Sequence, residues 1–160
     1  MADSFTDEKE KQVWIASLRL LAATPKSVKA LSDKLASKGF SDDVIQKVLE
    51  KLQANGLLSD RMFAQNIVTR FTQAQPSGSR KISFELKRKG VPVKMREEIL
   101  EGMNPEDETE RARELAKMKW ESFSRLDGEK RKKRTYDFLI RRGFDFQTVR
   151  DVVEQLERDL

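Results

Sequence analysis

The carboxylate clusters are the residues of this chain that could do acid–base or metal chemistry. They stand at Asp42-Asp43, at Glu97-Glu98 and at residues 106–108. Paired carboxylates can serve as general acid and base or bind Mg²⁺, but a Mg²⁺ site needs convergent oxygens, and no spacing here demands them. Each cluster falls at or near a predicted helix start, where acidic side chains stabilise the helix dipole. We therefore interpret them as structural and predict no metal and no cofactor.

Composition excludes several kinds of catalytic site. The 160 residues include no Cys and no His, which excludes disulfides, thiol chemistry, histidine base catalysis and the common zinc sites. The sequence also has no Walker A, G-x-G-x-x-G or G-x-S-x-G motif. We predict that the protein is not an enzyme, although composition alone leaves catalysis by lysine, Tyr136 or carboxylates open.

The positive charge is concentrated in two segments. The chain carries 32 Lys and Arg against 27 Asp and Glu, a net charge of +5. Residues 79–100 hold seven basic and three acidic side chains, and residues 128–142 hold seven and two. Residues 101–127, which separate them, hold eight acidic and five basic side chains. This pattern could complement a polyanion or an acidic protein surface, although basic helices can also serve solubility alone. The five successive cations at 130–134 favour a binding role, because like charges in a row repel one another.

A motif that occurs three times predicts the elements that position these charges. Leu, two residues, a basic residue, Gly and an apolar residue stand at 35–40, 86–91 and 139–144. Apolar residues recur five, nine, ten and thirteen places after each glycine, except at Thr148. This spacing marks one face of a helix, so each unit ends one helix at its glycine and begins another just after it. Self-similarity at this period is typical of stacked helical units.

The predicted fold is therefore all-α, with three tandem three-helix repeats in an elongated, curved, solenoid-like arrangement. We place an N-terminal helix at 8–23, within an N-terminal segment 1–25, and the repeats at 26–75, 76–126 and 127–160, the last of them shortened. The predicted helices are 26–38, 42–54 and one from 59 or 60 in the first repeat; 79–89, 92–102 and 105–124 in the second; and 129–142 and 145–156 in the third.

A helix-turn-helix that reads DNA sequence is the alternative for a helix–glycine–helix unit. Asp42, Asp43 and Asp145 would then face phosphate, which disfavours sequence-specific recognition. The polar, acidic N-terminus lacks a signal-peptide core, and no apolar run is long enough to cross a bilayer. We therefore expect a cytoplasmic protein without a membrane partner.

An ordered series of motifs resembles the RecX family, the bacterial regulators of the RecA recombinase. Residues 56–64 (GLLSDRMFA), followed by Arg70, are similar to the family's G-Φ-Φ-x-D-x-x-F-A element and its Arg. The residues from Gly78 to Gly90 match its glycine, isoleucine and E-L-x-x-K-G series, and residues 138–144 match its F-L-x-R-R-G-F ending. The resemblance spans roughly residues 26–156. One departure is Ala30-Leu31, which stands where the family usually has Glu-Leu.

The resemblance implies a non-enzymatic protein of homologous recombination, DNA repair and the SOS response. Such a protein would lie along the helical groove of the RecA–DNA filament and suppress its ATPase and strand exchange. The expected partners are the RecA filament and single- or double-stranded DNA, and we expect a monomer. The expected RecA- and DNA-binding residues are basic: Arg70, Arg80, Lys81, Lys87, Arg88, Lys89, Lys130, Arg131, Lys132, Lys133, Arg134, Arg141 and Arg142.

Two other functions remain open at this point. The chain could bind DNA directly, without sequence preference, and affect recombination only by occupying the DNA. It could also be a helical adaptor for some other acidic protein, with no effect on RecA.

Overall fold

A computed structural model describes residue 5 and residues 7–159 of the chain. Within this part it contains nine α-helices, one π-helical segment and no β-strand. The fold is therefore all-α, as the sequence predicts. The α-helices are α1 (Glu8–Ala23), α2 (Val28–Ser37), α3 (Asp42–Ala54), α4 (Asp60–Thr69), α5 (Ser79–Arg88), α6 (Val93–Glu101), α7 (Pro105–Ser122), α8 (Gly128–Arg141) and α9 (Phe146–Arg158), and the π-helical segment is Arg70–Ala74.

Local capping signals explain where many of these helices begin and end. At six helix starts a polar side chain accepts a hydrogen bond from a backbone N–H of the first turn, which leaves fewer amides unpaired. The glycine of each repeated motif has a positive φ, +89° at Gly39, +83° at Gly90 and +84° at Gly143, and follows the end of a helix. The six capping residues are Asp7, Ser27, Ser59, Asn104, Asp127 and Asp145.

The first of two compact units comprises the described residues up to Ala64 together with Lys87–Pro92. In α1 the inward face differs from a simple apolar stripe, because Ser17 is buried whereas Leu18 is 39% exposed. The Ser17 hydroxyl donates a hydrogen bond to the Val13 carbonyl, 2.7 Å away, which satisfies its polar group. The core of this unit consists of Val13, Leu31, Leu35, Ile45, Val48, Leu49, Leu52 and Leu58.

An acidic side chain is also buried in this first unit. Glu10 is 2% exposed, and its carboxylate lies 2.9 Å from the ammonium group of Lys51 and 3.8 Å from that of Lys47. Burying a charge is costly unless it is paired, so this ion pair allows α1 to pack against α3 at that position.

The second compact unit comprises Gln65–Leu86 and the described residues from Val93 onwards. Its core lies between α7, α8 and α9 and includes the fully buried Phe144. In contrast, none of the residues of α6, all of which the structure describes, is buried. The other core residues are Ala112, Leu115, Ala116, Trp120, Leu139, Val149, Val152 and Val153.

An equivalent docking contact onto a backbone carbonyl occurs in each compact unit. In the first, the Ser27 hydroxyl donates to the carbonyl of Lys89, the residue before Gly90. In the second, the Gly78 N–H donates to the carbonyl of Arg142, the residue before Gly143, at 2.9 Å. Each donor stands twelve residues before its own motif glycine, so the two contacts are equivalent in the repeat. The predicted boundaries of the three repeats remain a prediction.

No helix in the described part of the chain combines the length and the hydropathy needed to cross a lipid bilayer.

Candidate functional site

The start of α5 is fixed against the turn between α8 and α9, and this junction gathers several of the predicted basic residues. The Arg80 N–H donates to the Gly143 carbonyl at 3.1 Å, next to the Gly78–Arg142 hydrogen bond. This close approach of α5 to the α8–α9 turn requires glycine at position 143, because a Cβ atom there would lie 2.4 Å from Lys81 Cβ and 2.5 Å from Lys81 N. Arg80, Lys81, Arg141 and Arg142 are thus placed around one junction of the second unit.

The side chains at this junction have different environments. Both Nε and Nη2 of Arg142 donate to the Pro76 carbonyl, at 3.0 and 2.7 Å, so this guanidinium holds the connector before α5. The Arg80 guanidinium lies 4.9 Å from the centre of the Phe146 ring. Arg141 is exposed and has no ion-pair or hydrogen-bond partner for its side chain among the described residues. Arg80 and Arg141 are therefore the more available to a ligand.

Phe71, in the π-helical segment, brings a further cation close to α5. The Arg70 guanidinium lies 5.6 Å from the ring centre of Phe71, and the Lys81 ammonium lies 6.0 Å from it. The ring is buried, and its π face attracts both cations.

The predicted cations at the end of α5 belong to the first unit. Lys87, Arg88 and Lys89 are exposed. Burial lowers the pKa of Lys26, and the positive charges of Lys34 and Lys89 lower it further. Lys26 and Lys34 therefore extend the positive region around Lys89, a grouping that the sequence does not predict because Lys89 is distant from them in the chain.

The basic run at 130–134 lies at the other end of α8, about 13 Å along the helix from Arg141. Much of its charge is engaged within the protein. The ammonium group of Lys130 lies 3.1 Å from the Asp127 carboxylate, and that of Lys132 lies 2.7 Å from the Glu157 carboxylate. The hydrogen bond to Glu157 raises the pKa of Lys132.

Two arginines of this run lie over aromatic rings. The Arg131 guanidinium lies 4.5 Å from the Trp120 ring centre, and its Nε donates to the Trp120 carbonyl at 2.7 Å. The Arg134 guanidinium lies 6.0 Å from the Phe123 ring centre. Lys133 is exposed and has no ion-pair partner in the described part of the chain. Within the run, Lys133 is therefore the most available cation.

Two exposed aromatic residues near the junction also escaped the sequence analysis. The Phe84 side chain on α5 is 61% exposed, and that of Phe146 at the start of α9 is 55% exposed. The only sequence signal for Phe84 is its phase, two positions from the buried Ile82 and Leu86, which puts it on the opposite side of α5.

The comparisons with known proteins give one consistent result. Residues 14–52 match a family model described as the first three-helix domain of RecX, and residues 106–153 match the third three-helix domain. A "Regulatory protein RecX" from Prosthecochloris aestuarii is 35% identical over 151 residues, which cover 94% of this chain and 97% of that protein. The chain belongs to the RecX family.

Other RecX proteins support the same placement. The regulatory protein RecX of Corynebacterium efficiens is 35% identical over 147 residues, covering 89% of this chain and 70% of its own. A crystal structure of RecX from Lactobacillus salivarius superposes with a TM-score of 0.82 at 21% identity, covering 94% of this chain and 97% of the other. That structure confirms the fold, and the sequence relatives place this RecX chain among regulatory proteins.

Proposed function

We propose that this RecX-family protein binds the RecA–DNA filament in its helical groove and inhibits its ATPase and strand exchange. Family membership supports a regulatory role. The observation that supports the interaction with the filament is that exposed cations stand at the motif-glycine turns after α5 and after α8. Lys87 lies next to one such turn, and Arg141 lies next to its counterpart in the following repeat. A protein with repeated cationic turns fits a target that itself repeats, such as phosphate or an acidic surface along a filament.

The test is the ATPase rate of RecA on single-stranded DNA at near-physiological salt, while this protein is titrated in well below one molecule per RecA. We expect the rate to fall. A fall in the RecA ATPase rate only at stoichiometric amounts of this protein would indicate competition for DNA. An unchanged rate would contradict the proposal.

Charge-reversal variants locate the interface. The variant combines Lys87→Glu, Lys133→Glu and Arg141→Glu, at exposed side chains for which the structure shows no packing role. Exposed charge pairs contribute about 0.5 kcal/mol each, so the loss of three should raise the half-inhibitory concentration about tenfold.

The matched control makes the same change of net charge elsewhere on the surface. It combines Lys9→Glu, Lys11→Glu and Lys117→Glu, which are also exposed. We expect it to inhibit almost like the unmodified protein. Equal weakening by both triple variants would mean that overall charge, rather than the positions of Lys87, Lys133 and Arg141, determines the interaction.

Direct binding to DNA without sequence preference is the second candidate function, and the charge distribution favours it too. It predicts that binding to naked DNA weakens by roughly one power of salt concentration for each phosphate neutralised. Binding that needs RecA would contradict it.

A further inference from the structure

We propose that Phe84 and Phe146, together with Arg80, form a base-stacking site for single-stranded DNA. This inference rests on the proposed function for the choice of DNA, and it adds a contact with the bases to the charge contacts described above. The site lies wholly within the second compact unit.

The junction between α5 and the α8–α9 turn holds the three residues close together. The Arg80 N–H is hydrogen-bonded to the Gly143 carbonyl, three residues before Phe146, which begins α9. The Arg80 guanidinium therefore reaches the Phe146 ring, 4.9 Å from its centre. Phe84 stands four residues after Arg80 on α5, so the Cβ atoms of these two residues are about 6 Å apart on one helix face.

The exposure of these two rings sets them apart from the other phenylalanines. All nine phenylalanines lie in the described part of the chain, and among them only Phe84 and Phe146 are largely exposed. Phe144, two positions from Phe146, is 0% exposed. An exposed ring that adds nothing to a core leaves apolar area in water, and two of them beside one arginine suggest a ligand with flat faces.

The charges around the rings suit an anionic strand. Arg80, Lys81 and Arg141 supply positive charge near the junction. Asp145 and Glu108 are the acidic groups that hydrogen bonds place there, and both serve the fold. The Asp145 carboxylate accepts from the N–H groups of Gln147 and Thr148, while the Glu108 carboxylate accepts from Ser79. Hydrogen bonds from Thr148 are among the interactions that lower the pKa of Asp145.

Single-stranded DNA fits this arrangement better than a duplex. Stacking on a side chain requires the face of an unpaired base, and in a duplex neighbouring base pairs cover those faces. Proteins that bind single strands combine aromatic rings with a basic path for the phosphates, and arginine adds cation–π attraction. The two rings here stand beside basic residues, which suits a polyanion better than a purely apolar protein partner.

The experiment measures binding of a labelled oligo(dT) of about 15 nucleotides, a length within the usual range for such sites, by fluorescence anisotropy without RecA. Phe84→Ala and Phe146→Ala should each weaken binding at least about fivefold, the equivalent of 1 kcal/mol per stacked base. Phe84→Tyr with Phe146→Tyr should restore it, because tyrosine keeps the ring. Met62→Ala and Met118→Ala remove other exposed apolar side chains and should leave binding unchanged.

Two further ligands separate stacking from charge. A duplex of the same length should bind the unmodified protein and the Phe84→Ala/Phe146→Ala variant equally. An abasic strand of the same length should bind the unmodified protein as weakly as the variant binds oligo(dT). The proposal is overturned by equal affinity of variant and unmodified protein for oligo(dT), by equal binding of the abasic strand and oligo(dT), or by undetectable binding of the unmodified protein.

The ATPase titration keeps this inference distinct from the proposed function. If the unmodified protein fails to inhibit RecA, the proposed function fails, whatever the oligonucleotides show. If it inhibits RecA while the phenylalanine variants bind oligo(dT) normally, only the stacking site fails.

Discussion

Replacement of Gly143 by alanine should destabilise the second compact unit more than the equivalent change at Gly39 destabilises the first. The two glycines occupy the same position of the repeated motif and have nearly the same φ, +84° and +89°. Their surroundings differ. A Cβ atom at position 39 would meet no atom within 4 Å, whereas one at position 143 would lie 2.4 to 2.9 Å from atoms of Lys81.

The difference in surroundings sets the expected magnitudes. Alanine in the left-handed region of backbone conformation destabilises the folded state by about 1 to 2 kcal/mol. Alanine also restricts the unfolded chain more than glycine does, which offsets about 0.4 to 1 kcal/mol of that loss. Gly39→Ala should therefore reduce the free energy of unfolding by about 1 kcal/mol. At Gly143 two of the close atoms belong to the α5 backbone, so the helix must shift, and overpacking of this kind adds about 1 to 3 kcal/mol. We expect a total loss of about 2 to 4 kcal/mol.

Tryptophan fluorescence allows each unit to be followed separately. The chain has two tryptophans, the half-buried Trp14 in the first unit and the buried Trp120 in the second. Urea unfolding in a Trp14→Phe background reports the second unit, and unfolding in a Trp120→Phe background reports the first. Gly128→Ala is the control, because Gly128 has no positive φ and its added Cβ would meet nothing within 4 Å. The reasoning is refuted if Gly39→Ala and Gly143→Ala lower the free energy of unfolding by the same amount.

Two further changes test electrostatic features of the fold. Asp145→Ala removes the N-cap of α9 and should cost about 1 kcal/mol at neutral pH. Because folding lowers the pKa of Asp145, its contribution is present above the unfolded pKa of about 3.9 and is lost as the pH falls through the folded pKa. Urea unfolding at pH 7 and pH 2.5 should therefore show the gap closing in acid, and a constant gap would contradict this. Lys51→Met removes the nearer of the two ammonium groups that face the buried Glu10 carboxylate, and should cost about 3 kcal/mol in the first unit. Lys47→Met, which keeps the shorter pair, is the control and should cost under about 1 kcal/mol, and an equal loss in both variants would exclude burial as the cause.

The elements of the fold could be predicted from the sequence because the signals that fix them are local. The predicted helices 8–23 and 42–54 agree with α1 and α3 to the residue, since caps, glycines and apolar period all act within a few positions. Thr148, the exception in the repeated pattern, has a local explanation, because its hydroxyl donates to the N-cap carboxylate of Asp145.

Features that depend on distant residues could not be predicted in this way. The spacing of apolar residues in α6 resembles that in α3, yet no residue of α6 is buried. The spacing predicts which face of a helix is apolar, but it does not predict how closely another helix covers that face. The same limit applies to the basic residues. The Arg142 guanidinium is bound to Pro76, and that of Arg131 lies over Trp120, whereas the sequence treats both as surface charge.

The docking contact that lies within each unit shows how a repeat can keep its geometry while its sequence changes. The position twelve residues before the motif glycine is Ser27 in one repeat and Gly78 in the next. Ser27 donates through its hydroxyl, whereas Gly78 donates through its backbone N–H. A side chain could not replace the glycine, because a Cβ at position 78 would lie 2.2 Å from the Gly143 carbonyl oxygen.

The Ser27 hydroxyl and the Gly78 N–H each donate to the carbonyl of the basic residue that precedes the next motif glycine. The contact therefore fixes the backbone of Lys89 and of Arg142 at equivalent places, while the basic side chain beside each contact can differ in role. Arg142 is used to hold the connector at Pro76, and its neighbour Arg141 is left exposed. At the other junction Lys89 itself is exposed. An exposed cation thus stands at each turn, although different residues supply it, and the proposed repeated contact with a filament requires such a cation.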